Sequence, residues 1–200
     1  MRAKLYGFAA KGEEVVRRYP ISDMSIPARY ARAIMNYRYK KVPEALVQIE
    51  DLLKAQPTNP YFWELKGQVL LEFGQAREAV TALRRASSGV PEAGLIRGLL
   101  GRALVATGDR ALLDEGIREL TNASQREPDD VENWRQLAIA FNQKDNIGMA
   151  EFSAAQEALL TGDMQSAVNH AAKAKGLLPA GSPAALKADD ILNYRKPKSN

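Results

Sequence analysis

One imidazole is all that this chain offers to general acid–base or metal chemistry: His170 is the single histidine, and there is no cysteine. A zinc site takes three or four nitrogen, sulfur or carboxylate ligands, and the HExxH form needs two histidines one helical turn apart. His170, between Asn169 and Ala171 on an expected helix, cannot supply them and reads as a surface or groove-edge residue. The missing thiols also remove disulfides, thiolate metal sites and cysteine nucleophiles, while leaving either redox compartment open. Neighbouring carboxylates occur at Glu13–Glu14, Asp129–Asp130 and Asp189–Asp190. Their places at helix starts or on polar faces suit a helix-dipole role better than a catalytic pair.

Other chemistries fare no better. Gly94, Gly98 and Gly101 have the small-residue spacing of packed membrane helices, but Arg97 and Arg102 interrupt the run. Close helix packing explains Gly101. No strand leads into a glycine-rich turn, so no phosphate cradle is expected. Asn122-Ala123-Ser124 falls inside a helix and matches a glycosylation acceptor only by chance. The net charge of +4 arises from 28 basic and 24 acidic residues scattered through the chain, with no basic stripe for nucleic acid. The cluster Arg195-Lys196-Pro197-Lys198 reads as a solvated terminus rather than an RNA-binding arm. No apolar stretch reaches the roughly 18 residues of a membrane span, and MRAKLYGFAAKGEEVV lacks the apolar run of a signal peptide.

The elements that would position any functional residue come from a repeat. Pro57 and Pro91 are 34 positions apart. Between them stand Trp63, Gly67, Leu70, Gly74, Ala79, Leu83 and Ala86. Trp63 and Leu70 place an apolar stripe on a first helix. Gly67 and Ala79 are small where two helices cross, Gly74 ends the first helix, and Pro91 stops the second. Segment 94–130 repeats this with Leu100, Gly101, Leu104, Gly108, Leu120, Ala123 and Pro128. Three extra residues sit near Arg110 to Leu113, and Gly116 replaces the usual alanine. VENWRQLAIAF restarts the motif with Trp134, Leu137, Ala138 and Phe141. Segment 26–57 is a weaker copy, with Ala33, Ala45, Ile49 and Pro57. Counting back from Pro179 gives Gly162, Ala167 and Ala174.

This pattern resembles the tetratricopeptide (TPR) repeat. The resemblance implies an all-α, right-handed α-solenoid of antiparallel helix pairs, about 10–11 helices in all. The expected organisation is an N-terminal helix and linker over 1–25 and an array over 26–181. Its repeats are 26–59, 60–93, 94–130 and 131–181, the last sharing a helix near Met149 to Leu160. A capping helix over 182–195 and a disordered tail over 196–200 follow. Residues 3–18 are expected to form one helix.

In a TPR array the first helices line the concave face. The offsets that usually point inward select Tyr30, Ile34, Tyr37 and Arg38, then Tyr61, Glu64, Gln68, Leu71 and Glu72. Leu95, Arg102 and Val105 follow, and finally Arg135, Ile139, Asn142 and Gln143. Such a mixed lining suits an extended or helical protein segment, held by apolar anchors and oriented by amides and arginines. It lacks the Lys/Asn/Arg set with which some TPR domains clamp a C-terminal carboxylate. Of the three aromatics in NPYFWELKG, Trp63 is expected to pack between helices and Tyr61 to face the groove.

A narrower resemblance lies in RAKLYGF, VVRRYP, PARYARAI, NPYFWELKGQVLLEFG and NWRQLAIAF, and above all in the run from Ala150 to Asp190. In that order they are similar to the C-terminal region of bacterial zinc metallopeptidases that join an HExxH domain to a TPR array, the family of the β-barrel assembly-enhancing proteases. It implies a periplasmic parent whose TPR part recruits outer-membrane proteins or their assembly machinery, with its own protease domain as a further partner. Zinc would belong to that catalytic domain. HExxH is missing here, so this chain is expected to be non-catalytic and to need no cofactor; it is also expected to bind no nucleic acid and to insert into no membrane. The absent signal peptide fits a C-terminal fragment. A free-standing cytoplasmic TPR scaffold is the alternative.

Overall fold

A computed structural model describes residues 2–193. Among them the chain forms twelve α-helices, one short 3-10 turn and no strand. The helices are α1 (Arg2–Ala9), α2 (Gly12–Arg18), α3 (Ile26–Arg38), α4 (Val42–Ala55), α5 (Pro60–Glu72) and α6 (Ala76–Gly89). They continue as α7 (Gly94–Ala106), α8 (Leu113–Arg126), α9 (Val131–Gln143), α10 (Ile147–Thr161), α11 (Met164–Leu177) and α12 (Pro183–Asn193). The cluster Arg195-Lys196-Pro197-Lys198, the tail 196–200 and the last two positions of the expected capping helix lie outside the described residues.

Polar caps and prolines fix where helices start. Ser25, Asn59, Asp130, Asn146 and Asp163 each accept a backbone N–H of the turn that follows. Pro27, Pro43 and Pro60 occupy first-turn positions, where the missing N–H costs nothing. Hairpin turns carry a residue with positive φ: Lys40, Gly74, Gly108, Asp145 and Gly162. The same device thus joins α10 to α11 and joins the two helices of each pair. The extra residues after α7 form a 3-10 turn, Arg110–Leu112, capped by the Asp109 carboxylate.

One expectation fails here. Residues 3–18 are two helices, α1 and α2, which gives one helix more than expected. The break at Lys11 is stabilised from both sides. Glu14 accepts from the Lys11 N–H at 3.0 Å, and the Tyr39 hydroxyl accepts from the Gly12 N–H at 3.0 Å. The second bond is tertiary, so local sequence did not announce it.

The chain divides into two compact units, one ending at Ile96 and one starting at Arg97, so the seam falls within α7. In the first, Ile34, Ala45, Ile49, Leu52, Phe62, Leu65 and Val69 form a core with Trp63 at its edge. A Cβ on Gly67 would overlap the Leu83 side chain, so α5 and α6 meet at this position only because it is glycine. In the second unit, Ala155, Ala158, Ala167, Ala171, Ala174 and Ala188 let α10, α11 and α12 approach closely around Phe152 and Ile191. Gly101 does for α7 and α8 what Gly67 does for the first unit, since a Cβ there would come within 2.5 Å of Leu120 Cγ.

Candidate partner-binding face

In the first unit α1 covers part of the expected groove. The lining residues on α3 and α5 are placed by helical spacing, and α1 packs directly against α3. Ile34 is 0% exposed within the core and meets Gly7, at which a Cβ would come within 3.0 Å of the Ile34 Cβ. Tyr37 is buried, edge-on to Phe8 with ring centroids 6.4 Å apart. Its hydroxyl accepts from Gln68 Nε2 at 3.0 Å, and Gln68 also donates to Glu72 at 3.2 Å. Glu64 is buried and accepts from Lys4 Nζ at 2.9 and 2.8 Å. Arg38, an exposed residue, donates to the Gly7 and Ala10 carbonyls at 3.0 and 2.6 Å. Tyr30 is buried against Phe62, and its hydroxyl donates to the Tyr61 carbonyl at 3.3 Å. Ile34, Tyr30, Tyr37 and Glu64 are therefore interior residues here rather than an open lining.

Several lining residues of α5 stay accessible: Glu72 is exposed and Gln68 half-buried. Tyr61 is 47% exposed with Lys4 Nζ 5.6 Å from its ring centroid, and Leu71 is half-buried. Next to Arg2, a depression of about 500 Å³ is walled by Tyr19, Pro27, Tyr30, Tyr61 and Phe62. Phe62, beside Tyr61 in NPYFWELKG, is a core residue. Trp63 is half-buried, with its indole donating to the Pro57 carbonyl at 2.7 Å and Arg85 and Lys66 over its ring.

In the second unit an accessible stripe does appear. Arg135, Ile139 and Asn142 follow one another at i, i+4 and i+7 on α9, so they share a face. All three are exposed, Ile139 by 40%. Arg135 is held by Glu157 of α10 at 2.8 Å and by Glu132 at 2.6 Å, and Glu157 above all strengthens its hold on its proton. Gln143 is exposed beside this stripe. Arg102 does not belong to it. Its guanidinium pairs with the α9 cap Asp130 at 2.6 Å and donates to Asn133 at 3.1 Å, so it acts as a strut between helices. Val105 is buried, whereas Leu95, in the first unit, is 59% exposed.

The chemically suggestive residues make contacts between and within helices. His170 Nδ1 lies 2.6 Å from Glu151 and ties α11 to α10. Asp130 is a helix cap, and Asp189 pairs with Lys175 across α11 and α12 at 2.5 Å. Ser124 of the Asn122-Ala123-Ser124 triplet is buried and donates to the Leu120 carbonyl. No group of three or more His, Cys, Asp or Glu among the described residues is placed to hold a metal, and no helix among them is long and apolar enough to cross a membrane.

Sequence inspection of the lining missed α1. Its signal was present, since Ala3, Gly7 and Ala10 fall at i, i+4 and i+7 and are the buried side of the segment. Small residues in that pattern let a helix lie close to another surface.

No protein-family model matches the sequence, and no curated protein matches it significantly. Solved structures do. YrrB, described as a TPR protein with an unusual peptide-binding site, aligns at 21% identity with a TM-score of 0.68, over 86% of this chain and 88% of its own. MamA MSR-1 C2 aligns at 17% identity with a TM-score of 0.66, over 81% and 94%. A thermophilic TPR protein of Thermus thermophilus gives 18% identity and a TM-score of 0.58, over 84% and 99%. With twelve helices, no described strand and these neighbours, the chain has the all-α TPR fold.

Proposed function

We propose that this chain is a non-catalytic protein-interaction module that holds segments of other proteins on the faces of its first helices. The observation that carries the reading is the exposed stripe Arg135–Ile139–Asn142 on α9, an apolar side chain between a cation and an amide on a rigid helix. That combination offers an anchor and two orienting groups, as peptide-recognition surfaces do. The peptide-binding site in the description of YrrB supports the same reading. Full-chain selection of peptide ligands, followed by Ile139→Asp and Arg135→Ala, tests it. Affinity should fall by roughly tenfold or more for the anchor. Selected ligands that bind both variants as well as the wild type would remove the stripe from the reading.

The finer setting rests on the resemblance of RAKLYGF, NPYFWELKG and the Ala150–Asp190 run to the TPR regions of envelope metallopeptidases. On that reading the module belongs to a periplasmic zinc metallopeptidase, recruits outer-membrane proteins or their assembly machinery, and leaves zinc and proteolysis to another domain. The coding sequence upstream of Met1 decides it. An in-frame HExxH domain behind a signal peptide is the expected result, and a stop codon with its own ribosome-binding site would overturn it.

A further inference from the structure

Four contacts seat α1 on the α3–α5 face, and each recognises a feature of a helix rather than of this chain's connectivity. Gly7 fits against Ile34 and the Ala31 carbonyl, where a Cβ would come within 3.0 and 3.1 Å. Phe8 stands edge-on to Tyr37. Lys4 caps the buried Glu64 carboxylate through both oxygens. Arg38 takes the Gly7 and Ala10 carbonyls at the C-terminal end of the helix, where unpaired carbonyls carry the negative end of the dipole.

What α1 lacks is independent stability. Eight residues are too few for a helix to persist alone in water. Leu5 is 65% exposed, so the segment buries mainly small residues and parts of two aromatic rings, Phe8 against Tyr37 and Tyr6 against Tyr19. Its place depends on fit and polar anchors, both of which another helix with the same features can supply.

We infer that the α3–α5 face is a receptor for a short α-helical protein segment with the order basic–x–x–Gly–aromatic, and that α1 is a cis copy of that ligand. This rests on the reading of the chain as a protein-interaction module and names the partner class for its first unit. The buried Glu64 selects the basic residue, and Ile34 selects glycine three positions on. Tyr37 accepts the aromatic edge, and Arg38 reads the helix end. The aromatic-walled depression beside Arg2 gives an incoming segment room for a further apolar side chain. A tethered helix competes at an effective concentration of about millimolar. The face is therefore closed to weak ligands and yields to those that outbind α1.

The probe is a fluorescent peptide of residues 2–10, RAKLYGFAA, titrated against the full chain. Gly7→Leu in the chain should drive α1 off Ile34, raise amide exchange in α1 while α3–α6 stay protected, and tighten peptide binding at least tenfold over wild type. Lys4→Glu, which sets a carboxylate against Glu64, should release α1 in the same way should Gly7→Leu disturb folding. Arg38→Ala added to either variant should weaken the peptide again, and a peptide carrying the Gly7→Leu change should not bind. Equal binding to wild type and both released variants would overturn the inference, as would α1 amides that stay protected in both. Concentration-dependent dimers that exchange α1 between copies would also overturn it, by making the partner a second copy. If the peptide fails while selected segments still bind through Ile139, the general reading stands and this inference alone falls.

Discussion

Tyr30 and Tyr37 carry hydroxyls that a binding face would use, yet both lie inside the first unit near carboxylates. Burial first, and then the charge of Glu64, pushes the Tyr30 phenol well above its ordinary value of 10. Burial and then Glu72 do the same to Tyr37. A folded-state pKa above the unfolded one favours the neutral phenol. The associated stability is complete below pH 10 and is lost as the pH rises above it toward the folded-state values. Chemical denaturation at rising alkaline pH should therefore show stability falling more steeply in wild type than in the Tyr30→Phe/Tyr37→Phe double variant. Equal slopes would contradict the burial argument. The tryptophans behave more simply. Trp63 and Trp134 donate to the carbonyls of Pro57 and Pro128, each six residues upstream, at 2.7 and 3.1 Å. The indole thus closes the inter-repeat turn onto the helix it precedes. Either Trp→Phe change should lower unfolding free energy by about 1 kcal/mol for the lost bond, plus a packing term, measured in urea. Both tryptophans were legible from their spacing to proline, because the repeat is a local pattern. The burial of Tyr30, Tyr37 and Glu64 was not, because it comes from tertiary contacts: Phe62 of α5 covers Tyr30, and α1, far away in sequence, covers Tyr37 and Glu64.

Helix pairs owe their turns to residues with positive φ, and two of these are not glycine. Lys40 and Asp145 both sit at a φ of 58°. Lysine has no side-chain device to offset that conformation, whereas aspartate tolerates it better. Lys40→Gly should raise stability by about 1 kcal/mol, seen as a higher melting temperature. The glycines that lie within helices divide the other way. Gly67→Ala sets a Cβ against Leu83 and should cost about 1–3 kcal/mol. Gly176, in the last turn of α11, has nothing within 4 Å of a Cβ, so Gly176→Ala should gain a few tenths of a kcal/mol, less than the roughly 0.5–1 kcal/mol of a helix interior. Gly67 and Gly101 could be read from the repeat, which demands small residues at helix crossings. The split of the N-terminal segment at Lys11 could not, since the Tyr39 hydroxyl that receives Gly12 comes from the end of α3.

For the whole molecule, charge and chemistry point the same way. Basic and acidic groups are nearly balanced, and many are spent on pairs such as Arg97–Glu119 and Lys144–Asp114. Retention on duplex DNA at physiological salt should be negligible in a filter-binding assay, and tight binding there would contradict the scattered-charge reading. The all-α repeat fold was legible throughout because each repeat carries its own punctuation. The state of its faces was not, since the same first-helix offset is open at Ile139 and filled at Ile34. The tie between indole and proline has a practical corollary. Trp63 and Trp134 are the only tryptophans, and each unit holds one. Replacing either with phenylalanine leaves a chain whose tryptophan emission, excited selectively over the tyrosines, comes from a single unit, without any foreign dye. Trp63 lies under the Arg85 and Lys66 cations, whereas Trp134 meets the Phe152 ring edge-on. The protein is already labelled for optical measurement, with one reporter for each half.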